Sequence, residues 1–245
     1  MTRLPSKLRD FLMVQKRFIA QPSFSNALGL SPKHILQKDD SETKPLVSTS
    51  KEGVAQYCYR YAVPNHACVK SIDGRDDVFP TSAILAVFDD LTTLAIVNED
   101  KNARPGVSTS LSANLSPYGM TRLPKAGDEL DIFVKVIKIG KTFGFTEAEA
   151  VCSETGAVIA IGKHTKFLNT GSLLQKVILG PTILPIASRA ASMYQPNDSN
   201  ATNTISMSDL FRLDPSREKQ DGSILVLRKE HMNPMGTCHV RSKPC

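Results

Sequence analysis

The chain has no tryptophan, and aromatic residues make up only 6% of its 245 residues. Single-stranded nucleic acids are commonly bound by stacking of their bases on aromatic side chains, so this composition does not suggest a nucleic-acid partner. An apolar content of 41% over this length is enough for one or two domains with a buried core. We therefore expect a globular protein.

Cysteine is scarce and shows no paired spacing. The five residues are widely scattered, at Cys58, Cys68, Cys152, Cys238 and Cys245. An odd number without paired spacing is typical of free thiols in a reducing compartment. His231 and His239 could be two metal ligands, but no further ligand follows at metal spacing, so we expect neither a metal nor a cofactor.

Long apolar runs are also missing. The chain has no uninterrupted apolar stretch near the roughly 20 residues of a membrane span, so none is expected. Residues 173–186 come closest outside the longest helical pattern, but charged or polar residues, glycine and proline interrupt them. We interpret this stretch as a linker packed on a surface.

Positive charge is concentrated near the start of the chain. The formal net charge is +6, and the first 37 residues hold six lysines and arginines against the single acid Asp10. A basic, amphipathic segment of this kind is typical of organellar transit peptides, although a surface helix or a disordered arm has the same composition. We expect a mitochondrial location, with the cytoplasm as the alternative. Removal of about the first 20 residues should then leave the melting temperature nearly unchanged, because transit peptides bury little apolar surface.

Residues 81–97 predict one long, largely buried helix. Six apolar residues recur at helical spacing and form a wide stripe: Ile84, Val87, Phe88, Leu91, Leu94 and Ala95. Asp89 falls on a second apolar edge beside Leu85 and Ile96, whereas Asp90 points elsewhere. A desolvated carboxylate costs several kcal/mol, as an order of magnitude, unless it is paired, so Asp89 is a candidate functional residue. A solvated gap, or a bond to neighbouring backbone, would explain it equally well.

Strand patterns flank this helix on both sides. Residues 54–63 alternate in polarity and precede it, and the polar residues 22–52 are interpreted as a loop or loose arm. Four further strands are predicted at residues 107–115, 129–139, 141–153 and 157–168, with hairpin-length turns between them. One strand, one buried helix and then an antiparallel meander predict an α+β fold of the hotdog type, in which the sheet wraps around the helix.

Four blocks along this region resemble one family. They are Phe88-Asp-Asp-Leu-Thr-Thr-Leu-Ala95, Pro105-Gly-Val-Ser108, Gly140-Lys-Thr-Phe-Gly-Phe-Thr146 and Gly162-Lys-His-Thr-Lys-Phe-Leu168. Their content and order are similar to those of hotdog acyl-CoA thioesterases of the thioesterase superfamily, phenylacetic-acid type. The resemblance covers residues 54–168.

The resemblance implies a reaction and two site residues. It implies hydrolysis of an acyl-CoA, with a fatty acyl group expected, by water that Asp89 activates and Ser108 assists. It also implies pairing in a homodimer or with another hotdog domain, for which we expect two long helices back to back. The family has an Asn and a His-Gly-Gly where the helix begins, and Gly74-Arg-Asp-Asp-Val-Phe-Pro-Thr-Ser82 has neither.

A segment near the carboxyl end, Asn233-Pro-Met-Gly-Thr-Cys-His239, resembles the beginning of the family motif that is missing before the helix. The chain is then predicted to have a basic arm (1–52), a hotdog domain (53–168), a linker (169–222) and the start of a second repeat (223–245). Asn233 and His239 would complete a composite site with Asp89 and Ser108. An altered carboxyl end with both residues on a loose loop is the alternative.

Three functions remain open from the sequence. The first is acyl-CoA hydrolysis, and the second is a catalytically degenerate hotdog that binds acyl-CoA or serves as a structural partner. The third, dehydration of a hydroxyacyl thioester, is weaker because Ser108 and the block order favour the hydrolase branch. His66 and His164 are interpreted as structural or surface residues. Lys163 and Lys166 are interpreted as solvated charges that could otherwise meet coenzyme A phosphates.

Overall fold

A computed structural model describes residues 6–18, 25, 28–30, 47–51, 54–70, 77–169 and 183–193. Its helices are α1 (Ser6–Phe18), α2 (Thr81–Glu99), α3 (Pro117–Thr121) and α4 (Leu184–Met193). Its strands are β1 (Val47–Lys51), β2 (Val54–Ala62), β3 (Val69–Lys70), β4 (Asp77–Val78), β5 (Val107–Leu115), β6 (Glu129–Ile139), β7 (Phe143–Cys152) and β8 (Val158–Phe167).

One antiparallel sheet curves around α2. Its strand order within the described residues is β1-β2-β6-β7-β8-β5, and β3 and β4 form a separate two-stranded ribbon. Strands β5 and β6 coincide with their predicted limits, and β7 and β8 lie within two residues of theirs. The predicted α+β hotdog architecture is confirmed.

Helix α2 forms the centre of the core. Ten of its residues are buried, including the whole predicted stripe from Ile84 to Ala95. The helix lies very close to the sheet at Gly162, where a Cβ atom would overlap the ring of Phe88. By length and composition α2 could also cross a membrane, but the domain already buries 56% of its most apolar 18-residue window.

One expectation about the flanking segments is wrong. Residues 47–51, predicted as part of a loop, form β1 and pair with β2 along their whole length. Their polar sequence, Val47-Ser-Thr-Ser-Lys51, gives no apolar alternation, so the pattern could not reveal an edge strand. The stretch interpreted as a linker packed on a surface contains the start of α4, where Leu184 is 2% exposed, and its role as a linker stays a prediction. The other predicted domain boundaries stay predictions.

The N-terminal helix is integrated into the fold. Its apolar face is buried, with Leu8 and Leu12 completely inaccessible, and it packs against α4 and α2. Lys7 Nζ also donates to the carbonyl of Asp100 at the end of α2, over 2.6 Å. The expectation that this segment buries little apolar surface is therefore wrong, because helical spacing here serves tertiary packing. The mitochondrial location stays a prediction.

Replacing Leu12 with alanine should lower the free energy of unfolding by about 2–5 kcal/mol, the usual cost of emptying a fully buried leucine site. Urea unfolding followed by circular dichroism would measure it. The exposed Arg9 on the same helix provides the control, because Arg9→Ala should change stability by less than about 0.5 kcal/mol. Equal stability of Leu12→Ala and the parent would show that α1 is dispensable.

Candidate active site

Asp89 and Ser108 meet between α2 and the edge strand β5. Ser108 Oγ donates to Asp89 Oδ1 over 3.1 Å. Gly106 makes the preceding turn possible, since its φ is +66° and a Cβ there would come within 2.8 Å of the Phe167 carbonyl oxygen. The Asp89 side chain is 20% exposed, so water can still reach it. The two residues that the resemblance singled out are thus brought into direct contact.

His164 on β8 completes a row of hydrogen bonds behind Ser108. Its Nε2 lies 2.9 Å from Ser108 Oγ and 3.5 Å from Asp89 Oδ1. Its Nδ1 lies 2.6 Å from Thr92 Oγ1 on α2. With Ser108 donating to Asp89, the Ser108 oxygen accepts the hydrogen of His164 Nε2. The imidazole therefore fixes the direction in which the serine hydroxyl points.

Lys166 is the second residue of β8 in the site. It stands opposite Ser108 in the strand pairing and is 5% exposed. Its Nζ lies 3.6 Å from Asp89 Oδ1 and donates to Thr93 Oγ1 over 2.6 Å. Burial lowers the pKa of Lys166, while Asp89 and Asp90 act in the opposite direction.

The sequence analysis misassigned part of β8. Lys166 is not a solvated charge and His164 belongs to the site, whereas Lys163 is exposed as expected and lies 3.6 Å from Glu147. Strand parity is the signal that separates them, because Gly162, His164 and Lys166 alternate onto the inner face. A histidine and a lysine at inner positions needed polar partners there.

Asp90 is a second, partly buried carboxyl next to Asp89. Burial is the main cause that raises the pKa of Asp90 to about 7, and the charge of Asp89 adds to it. A hydrogen bond from Ser25 and the charge of Lys166 oppose the shift. Two adjacent carboxyls thus compete for one ammonium, and Asp90 is left with the higher affinity for a proton.

The other predicted site residues cannot be placed. Asn233 and His239 lie outside the described residues, as do residues 71–76 before α2. Helix α2 begins after Pro80, which offers no side-chain cap. Within the described part of the chain, no three His, Cys, Asp or Glu side chains gather as metal ligands would.

Comparison with known proteins agrees with the family resemblance. No family model matches the chain. The chain is similar to human acyl-coenzyme A thioesterase 13, with 36% identity over 81 residues, which is 33% of this chain and 53% of that protein. The chain thus spans about half the length of the curated relatives it matches. The resemblance to acyl-CoA thioesterases is confirmed as a similarity in sequence.

Solved structures of similar proteins include two named thioesterase superfamily members. Mouse thioesterase superfamily member 2 overlaps with a TM-score of 0.44 at 21% identity, covering 69% of this chain and 100% of that one. The zebrafish protein overlaps with a TM-score of 0.44 at 20% identity, covering 65% and 96%. Overlaps at this level carry no argument about activity.

Replacing Asp90 with asparagine should alter the pH dependence of stability. The pKa of Asp90 is raised from 3.8 to about 7, so between these values the folded state holds a proton that the unfolded state has lost. Asp90 therefore makes the parent less stable as the pH rises through this window. The stability of Asp90→Asn relative to the parent should rise from pH 4 to pH 7 and then level off.

Chemical denaturation at a series of pH values would test this. Asp131→Asn is the control, since that carboxylate is paired with exposed Arg60 on the outer face of the sheet. A constant difference between Asp90→Asn and the parent from pH 4 to pH 8 would contradict the assignment.

Proposed function

We propose that this protein hydrolyses acyl-CoA thioesters to the free acid and coenzyme A. The observation that carries the proposal is the contact between Asp89 and Ser108, flanked by His164, because these are the two residues to which the family resemblance in the sequence gives catalytic roles. A partly exposed carboxylate with an oriented hydroxyl beside it suits activation of water. Neither group needs a metal for this chemistry.

In the proposed reaction Asp89 acts as general base. It accepts a proton from a water molecule as the water oxygen attacks the thioester carbonyl. When the tetrahedral intermediate collapses, the carbon–sulfur bond breaks and Asp89 returns the proton to the sulfur, so that coenzyme A leaves as the thiol. Ser108 orients the water, and His164 holds Ser108 in place through its Nε2. Proton transfer to a positioned carboxylate typically contributes about 10²–10⁴-fold in rate.

A fatty acyl group is the proposed substrate. Beyond Ser108, the inner face of β5 continues with Leu111, Ala113 and Leu115, which are apolar and only partly buried. Such a strip next to a polar reacting centre suits a hydrocarbon chain with a thioester at its end. We further propose that the domain pairs with a second hotdog domain, either another copy or a sister domain. The predicted back-to-back packing of two long helices stays a prediction.

A non-catalytic acyl-CoA binder is the second candidate. It is favoured by the sequence Pro80-Thr81-Ser82, where the family has His-Gly-Gly. Without that motif, the thioester carbonyl needs another hydrogen-bond donor to be polarised. The two candidates differ in one observable, because only the enzyme releases free thiol from acyl-CoA.

Replacing Asp89 with asparagine tests the proposal. The amide keeps the size of the side chain but cannot accept the proton, so hydrolysis should fall by about two to four orders of magnitude. The assay follows thiol release with a thiol-reactive dye over acyl-CoAs of several chain lengths. Circular dichroism at the assay temperature should establish that the variant is folded, because the change also removes a carboxylate from beside the buried Lys166 ammonium.

Asp131→Asn again serves as the matched control, because it changes a carboxylate outside the site and should leave the rate unchanged. Equal rates for Asp89→Asn and the parent would refute the catalytic role of Asp89. Saturable binding of acyl-CoA by a parent that releases no thiol would favour the second candidate.

A further inference from the structure

Two adjacent carboxyls and one ammonium are packed together under the sheet. Asp89 and Asp90 follow each other on α2, and Lys166 approaches both from β8. Lys166 is 5% exposed, which is unusual for a lysine outside a pairing of this kind. A buried ammonium is costly, so its retention needs an explanation that packing alone does not supply.

The geometry gives the ammonium a defined position. Lys166 Nζ donates to Thr93 Oγ1, and Thr93 Oγ1 in turn donates to the backbone carbonyl of Asp89 over 2.6 Å. The lysine is therefore tied to the same turn of α2 that carries the base. Its charge lies 3.6 Å from Asp89 Oδ1, the same oxygen that accepts from Ser108.

We propose that Lys166 is a positioning residue for Asp89, which it keeps ionised and directed at Ser108. This inference rests on the proposed function, since it concerns the base of that reaction. Lys166 does not touch the reacting atoms in this scheme. It acts through Asp89, by supplying the positive charge that a buried carboxylate needs to remain charged at neutral pH.

Among the residues that the structure describes, the other titratable groups near the pair do not take the place of Lys166 in the following contacts. On α2 the neighbour is Asp90, which adds negative charge, and on β2 it is the phenol of Tyr61, which interacts with Asp90. On β8 the neighbour is His164, whose Nε2 lies next to Ser108. The part of β5 in contact contributes the hydroxyl of Ser108. Lys166 is thus a cation held in a fixed position beside Asp89.

Loss of this cation should change the pH dependence of catalysis. Without it, Asp89 keeps its proton to a higher pH, because a carboxylate in the same setting loses its favourable neighbour. An opposite charge at about 4–6 Å typically accounts for about 1–3 pH units. In the pH profile of kcat/KM, the acid limb should therefore shift to higher pH by about 1–3 units. Activity should recover partly at alkaline pH.

The test compares Lys166→Met with Lys163→Met. Both remove one ammonium from β8 and keep a side chain of similar length, but Lys163 points outward beside Glu147. We expect the acid limb to move upward in Lys166→Met and to stay in place in Lys163→Met. A lower kcat in Lys166→Met with an unmoved acid limb would overturn the proposal, because a purely structural role predicts that result.

A second variant keeps the proposal testable if Lys166→Met does not fold. Thr93→Val keeps the shape of the side chain and removes the hydroxyl that holds the ammonium. It should move the acid limb in the same direction by a smaller amount, whereas an unmoved limb would count against the proposal.

A readout without turnover separates this proposal from the proposed function. NMR titration of the Asp89 carboxyl carbon in the parent and in Thr93→Val or Lys166→Met needs no substrate. An inactive parent whose Asp89 titration still moves upward in these variants would reject the hydrolase and retain the role of Lys166. An active parent whose Asp89 titration does not move in these variants would retain the hydrolase and reject the role of Lys166.

Discussion

The close packing of α2 against β8 determines the rest of the structure. At Gly162 a side chain would overlap the Phe88 ring and the Ser112 carbonyl, so the helix can lie this near only because β8 has a glycine there. The contact brings the next inner residues of β8 against the following turn of α2. Any polar side chain on that side of the helix is then enclosed between helix and sheet, and Asp89, Thr92 and Thr93 all find their partners on β5 and β8.

Because the site is enclosed, its charged groups need partners within the protein. A carboxylate, an imidazole and an ammonium share a space that admits little water, so each must be satisfied by the others. Helix hydroxyls mediate this arrangement, since Thr92 contacts His164 and Thr93 contacts Lys166. Asp90 is the group left with the least compensation, which agrees with a pKa raised to about 7. The same packing that stabilises the core therefore sets the protonation of the groups proposed for catalysis.

The sequence predicted the elements with strong periodicity and missed the residues that depend on register. Helical spacing located α2, and the position of Asp89 on an apolar edge identified it before any contact was known. Lys166 could not be separated from Lys163 by composition, because a lysine on an alternating strand faces water in most proteins. To distinguish the two lysines, one must know which residues of β8 face α2. Strand β1 was missed for a related reason, since its polar residues carry no period that distinguishes a sheet edge from a loop.

Helix α2 can supply only half of the proposed chemistry. Asp89 lies eight positions after the first residue of the helix, Thr81, which is a rise of about 12 Å along the helix axis. The free N–H groups at the start of α2 are therefore too far away to polarise a carbonyl whose attacking water is bound at Asp89. The proposed reaction therefore needs a polarising donor from another element, and the proposed pairing with a second hotdog domain is one way to supply it. The distance between the base and the start of its own helix is thus a physical argument for the proposed pairing with a second hotdog domain.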